Sequence, residues 1–199
     1  LISSNNATLY INREKLSEDV SEYLSTENID VEEYESVENG LKNYTGKSLL
    51  IDVHSTNYTL STAVDNDKIH VGTSPIPMMK AIKNKVEQDG FRAAMLRDGV
   101  AMVKFLAWMK GTVEAGGQTE ITLADRLEAL RAEQQHFKGI SFDTIVGYEA
   151  HGAIVHYEAT PETDIPIEPH GFVLIDSGAQ YEDGTTDITR TIALGELTD

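Results

Sequence analysis

Two strand-like runs near the end of the sequence, Phe172–Asp176 and Asp187–Ala193, are joined by a ten-residue polar connection that contains two glycines. Apolar and β-branched runs this close together, separated by turn formers, predict an antiparallel pair. The pairing constrains chemistry as well as topology, because an aspartate closes the first run and another opens the second. At such strand ends the two carboxylates face each other across the ladder. At about 4 Å they would repel by roughly 4 kcal/mol at an effective dielectric of about 20. That is a large share of the roughly 5–15 kcal/mol that keeps a domain folded. Protonation of one acid relieves the repulsion, and so does a cation between them. Hard divalent ions take oxygen ligands, which a carboxylate pair can chelate or bridge. Two carboxylates alone hold a metal poorly, so further His or Glu ligands are expected. Two solvent-facing turn aspartates are the plainer reading of the same spacing.

The chain before this pair changes character twice. Residues 1–75 alternate short strands and helices: Thr8–Ile11, Ser48–Val53 and Lys68–Gly72 read as strands, and Glu14–Leu24 as a helix. This pattern predicts a small α/β unit. Its first strand lies almost at Leu1, so part of that domain is expected to lie outside the sequence. Ser74–Pro77 (SPIP) reads as a linker, since each proline disfavours helix in the residue before it. A long helix is expected over roughly Lys80–Lys110, with Ile82, Val86, Ala93, Leu96, Val100, Val103 and Ala107 as its buried stripe. Gly116-Gly117 ends it. A second helix, about Leu123–Phe137, is expected with Thr122 and Asp125 as a capping box and Leu123, Leu127 and Leu130 buried. Four strand candidates follow: Thr144–Tyr148, Ala153–Tyr157 and the two aspartate-bearing runs. Two helices followed by strands predict an α+β domain over residues 78–199.

Charge narrows the partners. The net charge of -17 argues against nucleic acid, which demands clustered Lys and Arg, and equally against anionic membranes. Nine acidic residues and no basic one lie in Glu18–Glu38, which reads as a solvated face. There is no cysteine, so disulfides, thiolate metal sites and a cysteine nucleophile are excluded within the chain. That fits a reducing compartment, and a cytoplasmic location is the expectation. The sequence has no HExxH, GxSxG or GxxxxGK[ST] motif.

His156 lies 20 residues before Asp176, in GAIVHY. Strand alternation would put it on the face of Ile154. An imidazole beside a metal can hydrogen-bond substrate or pass a proton. Thr185, Thr186 and Thr189 surround Asp187, and their hydroxyls suit orientation of ligating carboxylates as well as they suit plain turn and strand chemistry. His151 and His170 are weaker candidates, and Asp52, at a strand end without a partner acid, reads as structural.

GAIVHY together with DSGAQYEDGTTDITRT resembles the aminopeptidase P and prolidase family of pita-bread metallopeptidases. The wording of the second motif is most similar to the three-domain X-Pro aminopeptidases. The resemblance implies an α/β domain of the creatinase/prolidase amino-terminal type over residues 1–75. It implies the first half of a pita-bread α+β domain over residues 78–199. By that resemblance Asp176 and Asp187 are ligands of two divalent ions, most often manganese, with Asp187 bridging both. His156 is the histidine that contacts substrate, and Thr189 supports the ligands. The implied reaction releases the residue that precedes proline at a peptide's amino terminus, by attack of a metal-bridged hydroxide. The family's remaining His and Glu ligands lie further along its pattern, beyond Asp199, so the chain alone is expected to be inactive. A proline-containing peptide is the expected partner, and a homodimer is compatible with the family. A non-catalytic pita-bread binding module and a prolidase- or creatinase-type relative are the alternatives.

Overall fold

The structure, a computed structural model, describes residues 1–196. The chain divides into two compact units, Leu1–Ile82 and the part from Lys83 onward.

In the first unit β1 (Ala7–Tyr10) runs parallel to β2 (Ile29–Glu32), and α1 (Glu18–Thr26) makes the crossover. Ser17 caps α1 by accepting from the Val20 amide at 3.3 Å, and Leu24 is its buried residue. The helix therefore starts four residues later than expected, after a short turn at Arg13–Lys15. Then come α2 (Val37–Lys42) and β3 (Leu49–Ile51). After α3 (Tyr58–Thr62), β4 (Ile69–Val71) pairs parallel with β3. Leu24, Ile51 and Val64 form the buried apolar set of this unit. The acidic run extends from α1 through β2 into α2, and its acidic residues are exposed except for the half-buried Glu38. Strand β2 hides inside that run because only Ile29 and Val31 alternate with its charges.

The segment read as a linker, Ser74–Pro77, runs into the start of α4 (Ile76–Ala81). Its prolines sit at the N-cap and in the first turn, where a missing N–H costs no helical hydrogen bond. The expected long helix is α5 (Lys85–Ala115), starting five residues later. A capping box sets that start: Asn84 Oδ1 accepts from the Glu87 amide at 2.9 Å, and Glu87 Oε2 accepts from the Asn84 amide at 2.8 Å. Helix α6 (Glu120–Ala132) is capped by Thr119 with Thr122 at N3, three residues before the expected box. Leu123, Leu127 and Leu130 are buried as expected. Phe137 does not end this helix but opens β5 (Phe137–Ile140).

The buried stripe of α5 is not the expected one. Ala94, Asp98, Ala101, Met102, Phe105, Met109 and Val113 face inward, while Val86, Leu96, Val100 and Val103 are exposed. Two apolar stripes wind round this helix. The inward one carries a charge, Asp98, which the apolar pattern alone passes over.

Strands β6 (Ile145–Tyr148), β7 (Phe172–Ser177) and β10 (Ile188–Ala193) make an antiparallel sheet in the order β10-β7-β6. The two aspartate-bearing runs do pair. Their connection is a second small element: β8 (Ala179–Tyr181) and β9 (Gly184–Thr185) join β5 in a sheet of order β5-β8-β9. Gly178 is where the chain passes from one sheet to the other. A Cβ there would meet Thr186 O at 2.0 Å and Ser141 Oγ at 2.3 Å, so only glycine fits. Helices α5 and α6 cover the larger sheet, with Phe105, Met109, Leu123, Leu127, Val173 and Ile175 in the shared core. The layering is the α+β arrangement expected from the order of elements.

Ala153–Tyr157 is not a strand. Glu149–Ala153 is a short 3-10 helix, and a turn follows it. Glu149 and His156 adopt φ of 49° and 54°, so the segment folds back on itself. Such a conformation costs a side-chain-bearing residue about 1–2 kcal/mol. The compensation is a set of side-chain hydrogen bonds to Glu120 of α6.

Candidate active site

Asp176 sits in β7, the central strand, with Ile145 of β6 as its partner on one side and Thr189 of β10 on the other. Asp187 lies one residue before β10, whose first pair is Ile188 with Ser177. The two aspartates are thus offset diagonally on one face of the sheet, not directly opposite as the sequence led us to expect. A diagonal pair stands further apart than a direct one, roughly 7–8 Å between backbones, which eases the repulsion. Asp176 is half-buried and Asp187 exposed.

A cavity of about 390 Å³ brings the expected residues together: His156, Asp176 and Asp187 all line it. Phe142 and Ile145 supply apolar wall, and Asp143 and Glu158 add two acids that the sequence reading did not single out. His156 reaches the cavity from its turn, not from a strand face. Of the three threonines, Thr189 alone engages an expected ligand: its Oγ1 donates to Asp176 Oδ1 at 2.8 Å. Thr186 is buried and accepts from the Ala179 amide at 2.9 Å, and Thr185 donates to Gln180 Oε1 at 2.6 Å. Those two hold the β8–β9 element.

The donors around the cavity are carboxylate oxygens and one imidazole, a set suited to hard or intermediate divalent ions. Among the described residues no group of three or more His, Asp or Glu side chains is arranged to hold a metal ion. Asp176 and Asp187 therefore fit as part of a ligand set and do not complete one.

A further acid behind the cavity went unnoticed in the sequence. Glu120, the first residue of α6, is fully buried. Its Oε1 accepts from the Tyr148 amide at 2.8 Å, and its Oε2 accepts from the Tyr157 hydroxyl at 2.8 Å. His151 Nδ1 lies 2.9 and 3.0 Å from the two carboxylate oxygens. The Tyr157 hydroxyl pKa is raised, first by burial and then by its hydrogen bond to Glu120 and that residue's charge. The helix N-terminus favours that charge. A TE dipeptide before an apolar helical stripe reads as an ordinary helix start, so nothing in the sequence marks this residue as a hub.

Comparison with known proteins agrees with this architecture. The Creatinase/Prolidase N-terminal domain model matches residues 1–87, and the Metallopeptidase family M24 model matches residues 89–199. Aminopeptidase P1 of Arabidopsis thaliana is 32% identical over 98% of the chain, and a probable Xaa-Pro aminopeptidase P of Sclerotinia sclerotiorum is 38% identical over all of it. The chain spans only 38% and 35% of those two proteins. An X-prolyl aminopeptidase structure from Caenorhabditis elegans, described as a cytosolic enzyme with a di-nuclear active site, superposes with a TM-score of 0.89 at 29% identity. It covers 99% of this chain and 34% of its own. A Pyrococcus horikoshii prolidase superposes at 0.72 with 26% identity, over 96% of this chain and 52% of its own. With a creatinase-type amino-terminal domain followed by part of a pita-bread domain, the chain belongs to metallopeptidase family M24.

Proposed function

We propose that this chain is part of a metal-dependent aminopeptidase that releases the residue preceding proline from the amino terminus of peptides. One observation carries the reading: His156, Asp176 and Asp187, from a turn and two strand ends, line a single cavity. The family membership and the dinuclear site named for the nematode relative support it. That relative's description as cytosolic supports a cytoplasmic location here. Among the described residues, no helix is long and apolar enough to cross a membrane.

In this reading Asp176 and Asp187 are two carboxylate ligands of a pair of divalent ions, taken to be manganese. The remaining ligands come from the part of the enzyme that the chain does not span. Bound ions supply Lewis-acid polarisation of a carbonyl and a lowered pKa for water. The residues of this chain do the rest. Thr189 fixes the Asp176 carboxylate by binding one of its oxygens. His156 contacts the peptide near the scissile bond and offers a ring nitrogen as a hydrogen-bond partner or proton carrier. Phe142 and Ile145 give the peptide an apolar wall.

The test is calorimetric titration of Mn²⁺ into this chain and into the full-length protein, joined to peptide assays. The full-length protein should bind the ion and cleave X-Pro but not X-Ala peptides, and Asp187→Ala should abolish both properties. This chain alone should bind more weakly than micromolar and be inactive. Full metal retention and activity in Asp187→Ala would overturn the assignment. Cleavage restricted to dipeptides would make the protein a prolidase instead.

A further inference from the structure

The turn that carries His156 is not held by sheet pairing. Its backbone bonds, Ile154 N to His151 O and Tyr157 N to Ile154 O, close turns within the segment. Glu120 ties the segment to α6, and the Tyr157 hydroxyl makes a further, longer contact with Thr163 at 3.4 Å. The Glu120 carboxylate grips the start of the segment at the Tyr148 amide, its middle at His151 and its end at the Tyr157 hydroxyl. The His151 and Tyr157 rings also touch in a tilted arrangement, with centroids 4.5 Å and planes 37° apart. Glu120 itself cannot shift, because it is fully buried and opens a 13-residue helix whose Leu123, Leu127 and Leu130 are packed in the core. Tyr157 is the immediate neighbour of His156, so the anchored hydroxyl fixes the backbone from which the imidazole projects.

We propose that Glu120 is a positioning residue. Through Tyr148, His151 and Tyr157 it fixes the loop bearing His156, and so sets the place of His156 in the cavity it shares with Asp176 and Asp187. The proposal rests on the reading that His156 contacts substrate. A buried acid with three separate attachments, at the end of β6 and at two points in the segment after it, is costly unless each attachment is satisfied. Here each is satisfied, one at the end of β6 and two in the segment after it. Glu120 is not among the residues lining the cavity that holds Asp176 and Asp187.

A double-mutant cycle in the full-length, metal-loaded enzyme tests this. The variants are Glu120→Gln, His156→Ala and both together, with kcat/KM measured on an X-Pro peptide. Tyr157→Phe, which removes one hydroxyl and keeps the ring, serves as a second and milder probe in the same cycle. A misplacement of about 1 Å can cost on the order of a hundredfold. We expect Glu120→Gln and Tyr157→Phe each to lower kcat/KM by roughly tenfold or more in the wild-type background. In the His156→Ala background they should have almost no effect, with metal content unchanged throughout. A merely structural role would give the same fold-loss in both backgrounds, and that result overturns the proposal. So does unchanged kcat/KM in Tyr157→Phe and Glu120→Gln. If His156→Ala itself loses nothing, the assignment of His156 fails, and the proposal with it. That outcome is distinct from an additive cycle, which leaves the assignment of His156 standing.

Discussion

Thr189 Oγ1 donates to Asp176 Oδ1 at 2.8 Å, and the two residues are register partners across β7 and β10. The sheet therefore presets the bond, and the carboxylate is held by one oxygen while the other remains for a ligand. Partners of metal ligands typically contribute 10- to 100-fold in affinity. Thr189→Val keeps the β-branched shape and removes the hydroxyl. Competition against a chelating indicator should show Mn²⁺ affinity of the full-length protein weakened by about tenfold, with Thr189→Ser close to wild type. Equal affinity in the valine variant would remove Thr189 from the site.

Beneath the β8–β9 element, Asp98 and Arg131 form a fully buried two-pronged pair, Nε to Oδ1 at 2.8 Å and Nη2 to Oδ2 at 3.0 Å. The Tyr181 hydroxyl adds a third bond to Asp98 Oδ1 at 2.9 Å. Burial and the Asp98 charge together push the Tyr181 hydroxyl pKa well above its ordinary value. Removing one member leaves a bare buried charge. Asp98→Ala should cost about 3–5 kcal/mol in urea unfolding, whereas Asp98→Leu combined with Arg131→Met should cost less than Asp98→Ala alone. Equal losses for the single and the double variant would argue against an uncompensated charge as the cause.

The same pair explains where the sequence stopped being legible. Continuous apolar strand runs, such as Phe172–Asp176, and helix faces of pure leucine, such as Leu123, Leu127 and Leu130, appear in the structure as their patterns predict. The inward face of α5 was missed because its pattern includes Asp98, whose burial depends on Arg131, 33 residues away. GAIVHY has the composition of a strand, yet the segment forms a 3-10 helix and a turn. Its fold is imposed by hydrogen bonds to Glu120, which no local window contains. The aspartates and His156 were legible as candidates because acids and imidazoles at strand ends and in apolar runs need a reason. Asp143 and Glu158 of the same cavity were not, since acids in loops need none.

Two glycines of α5 should respond to alanine with opposite signs. At Gly99 an added methyl would have nothing within 4 Å, so Gly99→Ala should gain up to about 1 kcal/mol from helix propensity alone. At Gly90 the same methyl would meet Asp183 O at 2.3 Å, a backbone atom of the turn between β8 and β9. Displacing that turn also disturbs the Arg97–Asp183 ion pair. Gly90→Ala should therefore lose about 1–3 kcal/mol despite the better helix former. Denaturant midpoints of the two variants check the prediction, and a shared sign would refute the close-approach argument.

Asp52 gives the first unit a pH dependence whose sign can be worked out. It follows β3, and its carboxylate accepts from the Ser74 amide at 2.8 Å and the His54 amide at 3.0 Å, tying the strand end to the segment that leads into α4. Those two bonds, Ser74 first and His54 second, hold its pKa below the ordinary 3.8. A depressed folded-state value means stability that is complete above the unfolded pKa and lost as pH falls through the lower folded one. Asp52→Ala should lower the melting midpoint at pH 7, followed at the amide signals of β3 and β4. The gap to wild type should stay constant down to about pH 5. Below about pH 4 it should narrow, because the wild-type carboxyl takes up the proton that weakens both bonds. A gap that is unchanged at the acid end would assign the loss to packing of the side chain, whereas closure assigns it to the charged acceptor at the strand end.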